Sequence, residues 1–141
     1  MKRIKIIIAD DHTLIADAWS FLLNQSPSYE VVKTFDNTES LLNELRNLTP
    51  DIVILDANIE PFNGFETAVK IKEIMPQVQI VGVSMHNEIT FAKRMMQCGA
   101  AAYVTKTSHQ DELFCAIEAV IAGKTYLCEE LKRQMADDDN L

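Results

Sequence analysis

The chain has 141 residues, of which 48% are hydrophobic and 24% are charged, as is usual for a globular domain with a buried core. Its formal net charge of −8 argues against direct binding to nucleic acid. Neither a membrane span nor a signal peptide is indicated, because the first apolar run is cut short by Asp10 and Asp11. The three cysteines lack metal-like spacing and are expected to be reduced thiols in a cytoplasmic protein.

Strand-like and helical patterns alternate along the chain. Apolar runs predict strands over residues 4–9, 29–35, 51–56, 79–84 and 101–105. The helical patterns begin with one capped by Thr13 and one starting at Asn37 or Thr38, and continue over about 65–75, 88–98 and 113–121. This alternation predicts a single doubly wound (βα)5 α/β domain of the flavodoxin-like type. Its parallel five-stranded sheet is expected in the order 2-1-3-4-5. The domain is predicted over residues 1–125, and residues 126–141 are predicted to be a mobile polar tail or the start of a linker.

The stretch DIVILDANIEPFNG, residues 51–64, carries the strongest functional signal. Its apolar run is typical of a strand buried on both faces, and it ends abruptly at Asp56. The next helical pattern begins near Phe65, too far away for Asp56 to cap it. Ligands of open α/β sheets bind at the carboxyl ends of the strands, so Asp56 is interpreted as a reactive group.

The predicted strand order brings five polar residues to one edge of the sheet. Asp10 and Asp11 follow the first strand beside Asp56, and Ser84 and Lys106 stand at the ends of the fourth and fifth strands. Taken singly, each is more often a cap, a structural hydroxyl or a solvated charge, but the ordered set is hard to obtain by chance. Two carboxylates about 4 Å apart repel by roughly 4 kcal/mol at an effective dielectric near 20, so the cluster needs a cation or a proton.

Mg²⁺ suits such an open cluster of oxygen ligands. A carboxylate can attack phosphorus to form an aspartyl-phosphate, and an ammonium with a hydroxyl would neutralise the phosphoryl oxygens. The residues therefore predict phosphoryl chemistry on Asp56. A dehalogenase-like phosphatase is disfavoured, because its Asp-x-Asp motif is replaced by Asp56-Ala57-Asn58 and no room remains for a substrate domain.

Four segments carry a resemblance to a known family: IIIADDHTLIADAW, LDANIEPFNGFE, VGVSMHNE and GAAAYVTKTSHQDEL. Over about residues 4–128 the chain resembles the receiver domains of two-component response regulators, especially those of NarL/FixJ-like (LuxR-type) transcriptional regulators. The resemblance implies that Asp56 is the phosphoacceptor and that Mg²⁺ is its cofactor. The implied metal ligands are Asp11 directly, Asp10 mainly through water, Asp56, and the backbone carbonyl of Asn58. Ser84 and Lys106 would bind phosphoryl oxygens, and Tyr103 would be the switch aromatic residue.

The loop after Asp56 departs from the family pattern, and one nearby histidine also needs an interpretation. Receiver domains usually have Met-Pro at the third and fourth positions after the phosphoacceptor, where this chain has Ile59 and Glu60, with Pro61 one residue late. This change leaves open the alternative that the domain is a pseudo-receiver, a protein-interaction module that is never phosphorylated.

His86 and Asn58 occupy the two positions that tune dephosphorylation in the family. A histidine at such a place is, however, more commonly a plain surface residue.

The resemblance also implies partners. The domain would be a signalling switch rather than an enzyme. It would take its phosphoryl group from a histidine kinase or a small donor and hydrolyse it slowly. It would control a helix-turn-helix output domain outside this chain, and DNA would be bound only through that domain. The segment GKTYLCEELKRQM resembles the start of a linker, so an excised receiver is favoured over a stand-alone one. Homodimerisation is left open, and the dimer face is either the fourth helix with the fifth strand and helix, or the first and fifth helices.

Overall fold

The computed structural model describes residues 3–85, 87 and 89–139. Strands and helices alternate along this part of the chain as β1 (Ile4–Ala9), α1 (Thr13–Asn24), β2 (Tyr29–Phe35), α2 (Thr38–Leu48), β3 (Ile52–Asp56), α3 (Gly64–Ile74), β4 (Gln79–Ser84), α4 (Ile89–Gln97), β5 (Ala102–Thr105), α5 (Gln110–Ile121), β6 (Tyr126–Leu127) and α6 (Glu129–Asp139). Among the described residues, no helix is long and apolar enough to cross a bilayer.

The strands form one parallel sheet in the order β2-β1-β3-β4-β5-β6. The predicted order of the first five strands is confirmed, but the prediction of five strands is wrong by one. The sixth strand has only two residues, and its backbone pairs with β5 through the amide of Tyr126, which donates to the carbonyl of Ala101 at 3.1 Å. A pair of residues is too short to show the alternation by which a strand is recognised in a sequence.

The centre of the sheet is apolar on both faces. Ile6, Ile7 and Ile8 of β1 and Ile54 and Leu55 of β3 are completely buried. Both strands lie inside the sheet and are covered by helices, which explains their unbroken apolar runs. The apolar interior therefore fixes the positions of the strand ends at which Asp10 and Asp56 lie.

The helix ends agree only partly with the predictions. The Thr13 cap is wrong, because the helix begins at Thr13 and His12 takes the cap position without a side-chain capping bond among the described residues. Asn37 caps α2 by accepting a hydrogen bond from the Ser40 amide at 2.8 Å. Asn63 caps α3, which agrees with the interpretation that Asp56 is not a cap. Gly99, at φ 115°, follows the end of α4 as predicted.

The last part of the chain, predicted to be a polar tail or the start of a linker, contains regular secondary structure. Residues 126–139 hold β6 and α6, and Cys128 and Leu131 are completely buried. Helix α6 contacts α4. It remains a prediction that residues 126–141 are the start of a linker.

Candidate functional site

The carboxyl ends of β1, β3 and β5 bring two buried acids and a lysine together. Asp10 follows β1, Asp56 closes β3, and Lys106 follows β5. The Lys106 ammonium donates to Asp10 Oδ1 at 2.8 Å and lies 3.3 Å from Asp56 Oδ2. The side chains of all three are at most 1% exposed. The sequence-based expectation that these residues meet at one edge is therefore confirmed.

One positive charge does not satisfy both buried carboxylates. Asp10 Oδ2 and Asp56 Oδ2 are buried and accept no hydrogen bond from any residue that the structure describes. Burial raises the pKa of Asp56 to about 6, against the lowering effects of the Asn58 amide and Lys106, and the neighbouring Asp10 raises it further. The site thus presents carboxylate oxygens without hydrogen bonds, which a cation or a phosphoryl group can engage.

An exposed part of the cluster lies at the mouth of the crevice. Asp11 is about half exposed, and one ligand atom from each of Asp10, Asp11, His12 and Asp56 lies within 4.8 Å of the others. Hard carboxylate oxygens in a partly open arrangement fit Mg²⁺, so the predicted acidic ligands pass this test of chemistry and position.

His12 is a site residue that the sequence analysis missed. Lys106 Nζ donates to its Nδ1 at 2.7 Å, and this nitrogen lies 3.3 Å from Asp10 Oδ1. Its backbone amide also donates to Asp10 Oδ1 at 2.8 Å. The only signal in the sequence is its place directly after the acidic pair, since the turn that brings its ring over the crevice depends on the tertiary structure.

The loop after Asp56 is held close to the acid. The Asn58 amide donates to Asp56 Oδ1 at 3.1 Å, and the Asn58 side-chain amide lies 3.5 Å from Ser84 Oγ. A Cβ on Gly64 would lie 2.4 Å from the Asp56 carbonyl oxygen, so only glycine lets α3 begin so close to the site.

The unusual part of this loop is anchored from α2. Ile59 is completely buried, whereas Glu60 is exposed. The Thr38 amide donates to the Glu60 carbonyl at 2.9 Å, and the Thr38 hydroxyl accepts from the Phe62 amide at 2.9 Å. The departure from Met-Pro thus keeps an apolar side chain in the core and turns the added acid towards solvent.

Ser84 and Tyr103 lie side by side behind the crevice, and both are completely buried. Burial raises the pKa of Tyr103 to about 12, which the Ser84 hydroxyl partly opposes and the charge of Asp56 reinforces. The ring fits because β4 has glycine at position 82, where a Cβ would lie 2.8 Å from Tyr103 Cδ2. The packed-edge interpretation of Tyr103 is compatible with this burial, and its switch role stays a prediction. His86 lies outside the described residues.

Several known proteins are similar to this chain in sequence. Residues 6–118 match the family model of the response regulator receiver domain. The chain is 33% identical over 133 residues to the response regulator GacA of Pseudomonas aeruginosa and 30% identical over 135 residues to the oxygen regulatory protein NreC of Staphylococcus epidermidis. These matches cover 94% and 95% of this chain but only 62% of either relative.

A solved structure resembles almost the whole chain. The crystal structure of a LuxR-family two-component response regulator from Aurantimonas sp. has a TM-score of 0.94 at 28% identity, covering 99% of this chain and 100% of that one. Its backbone therefore follows the fold described here over almost the whole chain. Together with the match over residues 6–118, these findings show that the chain belongs to the response regulator receiver domain family.

Proposed function

We propose that this receiver domain accepts a phosphoryl group on Asp56 and that this phosphorylation changes the conformation of the domain. The observation that carries the proposal is the buried Asp56 carboxylate, with Oδ2 unpaired by any hydrogen bond in the described chain and 3.3 Å from the Lys106 ammonium. A purely structural aspartate in this position would be expected to have both oxygens hydrogen-bonded, whereas Asp56 Oδ2 has only its ion pair with Lys106. A carboxylate oxygen that lacks a hydrogen bond and lies beside a buried cation is suited to attack an electrophilic phosphorus.

The acidic cluster supports Mg²⁺ as the cofactor. Asp11 and Asp56 would bind it directly, Asp10 mainly through water, and Asn58 through its backbone carbonyl. When bound, Mg²⁺ neutralises the carboxylates and the oxygens of the incoming phosphoryl group. The oxygen-only character of these four donors supports Mg²⁺ rather than a thiolate-binding metal.

The transfer itself is an in-line displacement at phosphorus. An oxygen of Asp56 forms a bond to phosphorus while the bond to the donor breaks, and the electron pair of that bond leaves with the donor. Lys106 and Ser84 would then hold oxygens of the transferred group, which requires Lys106 to exchange part of its contact with Asp10. Asn58 lies between Asp56 and Ser84 and would shape access of water to the phosphoryl group.

The partners follow from this chemistry. A histidine kinase, or a small donor such as acetyl phosphate, would supply the phosphoryl group, and slow self-hydrolysis would remove it. The relatives are regulators of greater length than this chain, which supports control of an output domain, and DNA contact would pass through that domain. The three free thiols support a cytoplasmic location. Homodimerisation through one of the two helical faces stays open.

Mass spectrometry tests the proposal. The intact chain is incubated with acetyl phosphate, with and without Mg²⁺, beside Asp56→Asn, which removes the nucleophile at nearly constant shape. Asp51→Asn is the matched control, because Asp51 lies exposed just before the other end of β3. We expect an adduct of one phosphoryl group that requires Mg²⁺ and Asp56 and is unaffected by Asp51→Asn. An equal adduct on Asp56→Asn would refute the assignment, and no adduct on the folded wild type would favour the pseudo-receiver.

A further inference from the structure

The C-terminal segment, residues 126–139, covers the face of the domain formed by α4, β5 and α5. Strand β6 pairs with β5, so that Tyr103 lies opposite Leu127 and the Cys128 amide donates to the Tyr103 carbonyl at 3.2 Å. The backbone of the predicted switch residue therefore holds one end of the segment.

The other end is held at the start of α4. The Gln134 side-chain amide spans two backbone groups there: its Oε1 accepts from the Ile89 amide at 3.1 Å, and its Nε2 donates to the Asn87 carbonyl. The Asn87 side chain donates to Glu130 Oε1 at 2.8 Å. Gln134 thus satisfies an amide at the N-terminus of α4 that the helix itself leaves without a partner.

A third attachment comes from α5. Glu112 Oε1 accepts from the Tyr126 hydroxyl at 3.0 Å and from the Glu129 amide at 2.8 Å. Between these attachments, Cys128 and Leu131 are completely buried. The segment is therefore a packed part of the domain, and the contacts described above attach it to α4, to β5, to α5 and to Asn87 before α4.

This packing links the segment to the phosphoryl site. Asn87 follows Ser84 by three residues, and Ser84 is the hydroxyl proposed to hold an oxygen of a phosphoryl group on Asp56. If Ser84 moves towards that group, the short chain connection would displace Asn87 as well. Gln134 can bind both Asn87 and Ile89 only while their backbone groups keep their present spacing, so a small displacement breaks the bridge.

We infer that residues 126–139 form a clasp on the α4-β5-α5 face that phosphorylation of Asp56 opens. The inference rests on the proposed function, which supplies the trigger. In the closed state the chain's own helix α6 occupies this face and excludes a partner from it. In the open state the face of α4 and the apolar side of α6, centred on Leu131, become available for binding.

The native cysteines report on the clasp. Cys128 belongs to the clasp and is buried in the closed state, whereas Cys115 on α5 is exposed. The rate at which iodoacetamide alkylates each thiol is measured by peptide mass spectrometry. In the unphosphorylated chain we expect Cys128 to react far more slowly than Cys115.

Gln134→Ala removes the bridge to the start of α4, and Gln97→Ala, at an exposed glutamine of α4, is the matched control. We expect Gln134→Ala to accelerate alkylation of Cys128 about tenfold, the change that corresponds to hydrogen bonds contributing about 1.4 kcal/mol in total. Gln97→Ala should leave the rate unchanged, and Cys115 should react alike in all variants. An unchanged Cys128 rate in Gln134→Ala would overturn the clasp.

Phosphorylation is then tested in the same samples, with the adduct counted by intact mass. Acetyl phosphate with Mg²⁺ should accelerate alkylation of Cys128 in the wild type but not in Asp56→Asn. A full adduct with an unchanged Cys128 rate would overturn the inference while leaving the proposed function intact. Absence of any adduct would reject the proposed function and the trigger together, and the Gln134→Ala result would still decide whether α6 shields Cys128.

Discussion

The acidic crevice and the sheet beneath it are built from the same strands, but burial has opposite energetic effects on their side chains. In β1 and β3 the side chains below the crevice are apolar and completely buried, as in Ile8 and Ile54. Two residues further along the chain in each case, Asp10 and Asp56 are equally buried but carry oxygens without hydrogen bonds in the described chain. Burial of the apolar side chains stabilises the fold, whereas burial of the two carboxylates costs free energy. The core therefore supplies the stability that offsets a reactive but energetically unfavourable site.

The largest effect is expected from damage to the core. Ile54→Ala should lower the free energy of unfolding by about 2–5 kcal/mol, because it removes buried methyl groups and leaves a cavity in the middle of β3. Urea denaturation measures the loss. Ile54→Val is the control, with an expected loss of about 0.5–1.5 kcal/mol. A loss in Ile54→Ala below that of the control would contradict the central role of β3.

The next effect has the opposite sign. Asp56→Asn should raise the free energy of unfolding in Mg²⁺-free buffer, because it removes a buried charge. The folded pKa of about 6 exceeds the ordinary 3.8, so the wild type loses stability as pH rises from about 4 to above 6. The gain of the variant should therefore be near zero at pH 4 and reach up to about 3 kcal/mol at pH 8.

Thermal unfolding across this pH range, with chelator and with Mg²⁺, checks the prediction. Added Mg²⁺ should stabilise the wild type and narrow its gap to Asp56→Asn. A gain that is equal at pH 4 and pH 8 would show that the buried charge is not its cause.

A smaller loss is expected when the buried cation is removed. Lys106→Met leaves Asp10 and Asp56 without their shared ammonium and should cost about 1–3 kcal/mol at pH 8 in Mg²⁺-free buffer. The cost should shrink at pH 5, because protonation of Asp56 relieves the repulsion. Denaturation of Lys106→Met beside Lys124→Met, an exposed lysine, gives the comparison. Similar costs in the two variants would rule out a special role for Lys106.

The smallest effect is expected at an ion pair on the surface. Lys33 and Glu44 meet at 2.8 Å, but their side chains are 45% and 38% exposed. Glu44→Gln should cost only about 0.2–1 kcal/mol, and salt should reduce this cost. Melting temperatures at low and high salt measure it. A large cost that salt does not change would contradict the expectation that solvent exposure makes this ion pair weaker than the buried contacts of the crevice.

The sequence predicted the regular part of the fold because its signals are local. Unbroken apolar runs identified β1 and β3, and the alternation of strands with helices led to the doubly wound class. The structure confirms the flavodoxin-like order assumed for the first five strands. Parallel strands end at a common edge, so the meeting of Asp10, Asp56 and Lys106 followed from that order alone. The roles of Ser84, Tyr103 and Asn58 remain predictions, since no geometry without a phosphoryl group tests them.

The amino-acid pattern alone is enough to predict the α/β class and the acids at the strand ends, because periodicity and strand ends are properties of single segments. Tertiary packing is what brings His12 to Lys106, starts α3 at Gly64 against Asp56, and places β6 and α6 on β5 and α4. These contacts join residues that are far apart in the chain or carried by irregular turns. The path of such segments is set by packing against the finished sheet, which no local pattern encodes.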